Sequence, residues 1–139
     1  MISVRIGQVE IDEDLIQKEL DEAKSIGARR VGFQTREIAM NSIKDGAGPS
    51  PVGSPPNSHV GTLKRFIGYE YDKSKSSVVV GPRLLTRRSK DAAEATEKGG
   101  QSQDVKGKVV RVLARPFMSP AFQAVQQQSL PAAFTDTFR

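Results

Sequence analysis

Ser54-Pro-Pro-Asn-Ser-His-Val-Gly-Thr-Leu-Lys-Arg-Phe-Ile-Gly-Tyr-Glu-Tyr-Asp72, followed after a short turn by Ser77-Val-Val-Val-Gly-Pro82, is the stretch whose reading decides the fold. It begins as a Pro/Ser loop. From Leu63 the side chains alternate, with Leu63, Arg65, Ile67 and Tyr69 on one face and Lys64, Phe66 and Glu70 on the other. That is the period of a strand, and a helical turn over Thr62–Arg65 is the other reading of its start. Asp72-Lys-Ser-Lys-Ser76 is a turn of small polar residues, and the β-branched run Ser77–Val80 returns from it. The two runs predict an antiparallel hairpin.

Upstream, Ile16, Leu20, Ala23, Gly27, Val31, Gln34 and Ile38 recur at spacings of three and four. This predicts one long helix over about 13–43, opened by the acidic cluster Asp12-Glu-Asp14 and stopped by Asp45-Gly-Ala-Gly-Pro49. Gly27 and Gly32 each cost about 1 kcal/mol inside a helix relative to Ala. They imply a bend, a close approach by another element, or two helices parted near Gly27. Before the helix, Ile2 to Val9 alternates loosely and predicts a short strand. Between helix and hairpin, residues 46–58 carry Pro49, Pro51, Pro55 and Pro56. So many prolines predict a stiff, ordered arm rather than a flexible linker.

Downstream, residues 83–105 form a long polar connection with Arg83, Arg87, Arg88 and Lys90 at its start. Within it Ala92–Lys98 predicts two helical turns, ended by Gly99-Gly100. Val105 to Leu113 predicts another strand. Ser119 and Pro120 read as an N-cap and first helical position, opening a short helix through Ala121, Phe122, Val125 and Leu130. The tail keeps Phe134 and Phe138, two aromatics suited to packing on this chain or a neighbour. The order predicts a single α+β domain over 1–139: a long N-terminal helix on a small antiparallel sheet of three or four strands, with a short C-terminal helix.

The bulk numbers agree with one lean domain. Apolar residues are 37%, Gly and Pro number 12 and 8, and there is no Trp or Cys. Such a core leaves room for stability drawn from neighbouring subunits. No apolar run approaches the ~20 residues of a membrane span, and the N-terminus lacks the basic-then-apolar pattern of a signal peptide. The net charge of +5 is uneven. Residues 1–60 hold 7 Lys/Arg against 9 Asp/Glu, and residues 61–139 hold 14 against 7. The basic half suits a polyanion, an acidic partner or plain solvation.

Reactive constellations are scarce. One histidine and no cysteine exclude a Cys/His metal site and a Cys nucleophile. His59 sits in the Pro-rich arm with no Gly-x-Ser-x-Gly elbow anywhere, and no phosphate-binding Gly loop is present. The carboxylates of Asp12–Glu22 lie where a helix start favours them. No cofactor, metal or catalytic residue is expected. Few aromatics accompany the basic residues, so sequence-specific nucleic-acid reading is not expected either.

The opening stretch, together with Glu97-Lys-Gly-Gly100 and Arg115-Pro-Phe-Met-Ser-Pro-Ala121, resembles the tail-completion proteins of tailed bacteriophages, also called minor tail or head–tail joining (neck) components. The likeness runs from about Arg29 to Leu130; the N-terminal portion is more acidic than the pattern. It implies a structural virion protein in the neck, without catalysis, acting as a homo-oligomeric ring around the DNA channel. Six copies would match the tail's symmetry and twelve the portal side. It further implies head-connector and tail-tube or terminator proteins as neighbours, and non-specific contact with phage DNA.

A ring of heterologous contacts needs two complementary patches on each subunit. The acidic helix start and the basic second half are candidates for such a pair, and the basic residues are equally candidates to line a lumen. Pro55, Pro56, His59, Arg83, Arg87, Arg88, Arg115, Phe117, Phe134 and Phe138 are the candidate assembly residues. The competing expectation is a small basic nucleic-acid-binding or regulatory module.

Overall fold

The structure, a computed structural model, describes residues 12–59, 61–83, 92–104, 106–128 and 133–134. The strand expected at Ile2–Val9, together with Arg87, Arg88, Leu130 and Phe138, lies outside them.

Helix α1 runs unbroken over Glu13–Ser42. Asp12 caps it: the Leu15 N–H donates to Asp12 Oδ1 at 3.0 Å, and Glu13 and Asp14 oppose the dipole in the first turn. The helix passes Gly27 and Gly32 without parting, because both glycines serve close approach. A Cβ on Gly27 would overlap the Phe134 ring; one on Gly32 would lie 2.6 Å from Val78 Cγ2. Burial along α1 begins at Ala23 and continues through Gly27, Val31, Gly32, Thr35 and Ala39.

The arm enters with β1 (Lys44–Asp45) and leaves with β2 (Asn57–Ser58), a two-residue parallel pair. Helix α2 (Thr62–Phe66) takes the alternating run as one helical turn, so Leu63 to Phe66 do not share the strand's two faces. The expected hairpin follows: β3 (Ile67–Asp72) pairs antiparallel with β4 (Ser77–Pro82), Ile67 opposite Pro82 and Asp72 opposite Ser77. Its turn is held by Asp72, whose Oδ1 accepts from the Ser74 hydroxyl at 2.6 Å and the Ser74 N–H at 2.9 Å. Bonding from the Ser74 side chain holds this carboxyl below its ordinary range against a smaller desolvation effect, assisted by the Lys75 and Ser74 N–H groups.

Helix α3 (Ala92–Lys98) has the expected bounds, and Gly99 follows it at φ +78°. The polar connection is not loop throughout. Gly100–Gln103 forms β5, antiparallel to β6 (Val109–Val112). The strand expected from Val105 is therefore shorter. Asp104 Oδ1 accepts from the N–H groups of Lys106 and Lys108, turning the chain there, with Gly107 at φ +83°.

Helix α4 (Met118–Gln128) closes the order. The fold is α+β. The strands form three separate two-stranded ladders among the described residues, not one sheet of three or four. Helix α1 is the common support, packed by both the β3–β4 hairpin and α4, which adjoin each other over it. Two adjoining clusters make the core. Ala39, Ile43, Ile67, Phe117 and Ala121 meet at the C-terminal end of α1, and Val31, Val125 and Ala133 meet nearer its middle. This pairing runs α4 antiparallel to α1.

Candidate functional site

Two of the segments that carry the resemblance, Glu97–Gly100 and Arg115–Ala121, meet beside the C-terminal end of α1, where Ile67 of the opening stretch packs with Phe117. Glu97, on α3, reaches across to the start of α4. Its Oε2 accepts from the Phe117 N–H at 2.8 Å and the Met118 N–H at 3.1 Å, and its Oε1 accepts from the Ser119 N–H at 2.8 Å. The first free N–H groups of α4 are thus capped by a residue twenty positions upstream. Ser119 is not the N-cap: the helix starts one residue earlier, at Met118, with Pro120 inside its first turn. Burial pushes the Glu97 carboxyl up. The bonds from the Phe117 N–H, the Ser119 hydroxyl and the Met118 and Ser119 N–H groups outweigh it and hold the group below its ordinary value.

Arg115 ties in α3 and the Pro-rich arm. Its backbone N–H donates to Thr96 O at 2.7 Å, and its Nε donates to Ser50 O at 2.9 Å. Beside it the Gly53 N–H donates to Ala114 O at 2.9 Å. The Pro-rich arm therefore lies over the β6–α4 connection of its own subunit, with Pro56 buried. Inside the arm Asn57 Nδ2 donates to Gly48 O at 2.9 Å. Phe117, 1% exposed, points inward onto Ala39, Ile43 and Ile67.

The candidate assembly residues thus divide. Pro56, Arg115 and Phe117 are consumed within the subunit, and Pro55 is half-buried. His59 and Arg83 are exposed. Phe134 is 41% exposed and lies against Gly27. Sequence reasoning missed Glu97 as the cap and Ser50 as an acceptor. Both contacts are long-range, so no local signal announced them, although Glu97 stands in the quoted motif.

The joint orders backbone and fixes angles between elements; its carboxylate, Glu97, is occupied by three backbone donors, and its guanidinium, Arg115, donates to the carbonyls of Ser50 and Leu113. Among the described residues, the two larger of the open depressions lie outside the joint. A cleft of about 540 Å³ between β4 and α4 is lined by Val78, Val79, Val80, Met118 and Phe122, with Thr35, Ser119, Gln123 and Gln126 at its polar parts, and has no ionisable lining. A groove of about 860 Å³ runs between the acidic first half of α1 and the β3–β4 turn. There Arg29 stacks over the Tyr71 ring at 5.6 Å; farther along, Phe33 meets Tyr69 edge-on at 6.4 Å.

Among the described residues no cluster of three or more His, Asp or Glu could hold a metal ion, and no helix is long and apolar enough to cross a membrane. Comparisons with protein-family models, curated proteins and solved structures find no match.

Proposed function

We propose that the chain is a structural assembly subunit of a tailed-phage neck, one member of a ring that completes the tail and joins it to the filled head around the DNA channel. The observation that carries this reading is the convergence of the Pro-rich arm, Glu97–Gly100 and Arg115–Ala121 in one hydrogen-bonded joint. Two of the segments by which the chain resembles the neck proteins, Glu97–Gly100 and Arg115–Ala121, are used here for architecture. Their polar groups hold backbone, and their largest side chain, Phe117, is core. Such a joint fixes how α1, α4 and the β5–β6 hairpin are presented to neighbours, which is what a ring subunit requires. The reading assigns no catalytic step to His59 or any other residue.

Electron microscopy of the purified chain and of the particle tests it. Closed rings, or copies lying between capsid and tail tube, are the expected result. A discrete monomer that binds DNA tightly and loses it steeply with salt would overturn the reading in favour of a small nucleic-acid-binding module.

A further inference from the structure

We infer that the N-terminal end of α1 docks onto the β5–β6 hairpin of a second copy of this chain. This deepens the assembly reading and rests on it.

At one end of the molecule, residues 13–22 of α1 include no buried residue. Leu15 and Ile16 are 52% and 55% exposed. Leu15, Glu19 and Glu22 follow at i, i+4 and i+7, so an exposed apolar side chain and two carboxylates share a face, with Ile16 at its margin. The segment holds five carboxylates against the single Lys18. At the other end, Val109, Arg111 and Leu113 alternate on the outward face of β6 and its continuation. Val109 and Leu113 are 55% and 46% exposed, and Lys108 adjoins them at the turn. Neither Lys108 nor Arg111 makes an ion pair among the described residues.

The two patches match in kind: an acidic rim around exposed aliphatics, and a basic rim around exposed aliphatics. They cannot meet within one subunit. The hairpin is fastened through Arg115 and Glu97 to the start of α4, and that start packs on Ala39 and Ile43 at the far end of α1. At 1.5 Å per residue the helix alone separates them by about 40 Å. A second copy supplies the missing partner for each. Two different patches at opposite ends make a head-to-tail contact, the kind that generates a ring when its rotation closes.

Sedimentation velocity on the full chain tests this with three variants: Glu19→Lys/Glu22→Lys, Lys108→Glu/Arg111→Glu, and all four changes together. Thermal melts by circular dichroism first establish that each folds. Wild type should associate, and each charge-reversed pair should sediment as monomer. An equimolar mixture of the two pairs should associate beyond a dimer, since the unchanged patches pair with each other and the reversed patches pair as they do in the four-change variant. The four-change variant should associate with itself again. If both pairs assemble like wild type, or if their folded mixture stays monomeric, this interface is wrong although the assembly reading survives. If wild type is itself monomeric at every concentration, this interface is wrong, and the assembly reading is then decided by whether copies lie between capsid and tail tube in the particle.

Discussion

At the C-terminal end of α1, Ala39 and Ile43 are packed under Ile67 and Phe117, and Arg36 donates to Ile67 O at 2.9 Å. At its N-terminal end, Leu15 and Ile16 stand half exposed among carboxylates. Both ends belong to one helix with one spacing of apolar residues. What differs is what covers them: Ile67 of β3 and Phe117 and Ala121 at the start of α4 close over the first, and nothing comparable covers the second among the described residues. The contrast separates side chains that hold the subunit together from side chains available to hold subunits to each other. It also predicts that substitutions at the two ends act on different measurements.

The largest effect belongs to the packed end. Phe117→Ala removes the largest fully buried side chain among the described residues and should cost about 3–5 kcal/mol in denaturant-induced unfolding. A melting temperature unchanged by this substitution would break the comparison, because Phe117 would then belong to a surface. Next comes the support of the hairpin. Gly32→Val would drive a side chain into Val78 and Tyr69, and overpacking of this kind costs about 1–3 kcal/mol. An undiminished stability would mean that the hairpin shifts freely on α1.

Glu97→Ala uncaps α4 and should cost about 0.5–2 kcal/mol by the same measurement. Its pH dependence sharpens the assignment. Because the folded-state pKa lies below the ordinary 4.5, the unfolded chain takes up the proton first. The stabilisation is therefore complete at neutral pH. It fades as pH falls below 4.5 and is lost through the folded-state pKa. Wild type and Glu97→Ala should converge in stability along that acid limb. Parallel curves would show that the carboxylate is not the cap.

These residues also mark what the sequence made legible. Helix α1 and the β3–β4 hairpin each announce themselves locally, through apolar period, capping carboxylates and a polar turn. Strand β5 does not: Gly-Gln-Ser-Gln has no apolar alternation, and the ladder to β6 gives it strand form. The joint was half legible. Arg115 and Phe117 stand out in the sequence, both as candidate assembly residues and as an anchor of the last helix on the sheet. Their true partners, Ser50 at 65 residues' separation and Ile43 at the far end of the helix, become visible only when α4 folds back. Phe66 and Lys64 alternate with Leu63 and Arg65 as a strand would, yet Gly61 at φ +68° opens a helical turn instead.

The smallest expected effect on stability is the most informative about the exposed end. Leu15→Ala with Ile16→Ala removes two aliphatic side chains from the first turn of α1. Both replacements favour helix, since Ala has the best propensity. Were these residues core, truncation would cost about 2–5 kcal/mol each. At half exposure and away from any packed cluster, folding stability should instead stay within about 0.5 kcal/mol of wild type. Association should weaken, because the apolar centre of the contact is gone while its charged rim remains. That residual attraction should be screened in high salt, where the Debye length falls to about 3 Å at 1 M. Wild type, which keeps Leu15 and Ile16, should hold together better under the same conditions. A large loss of monomer stability would make the two ends of α1 alike, and the exposed end would then be core rather than contact.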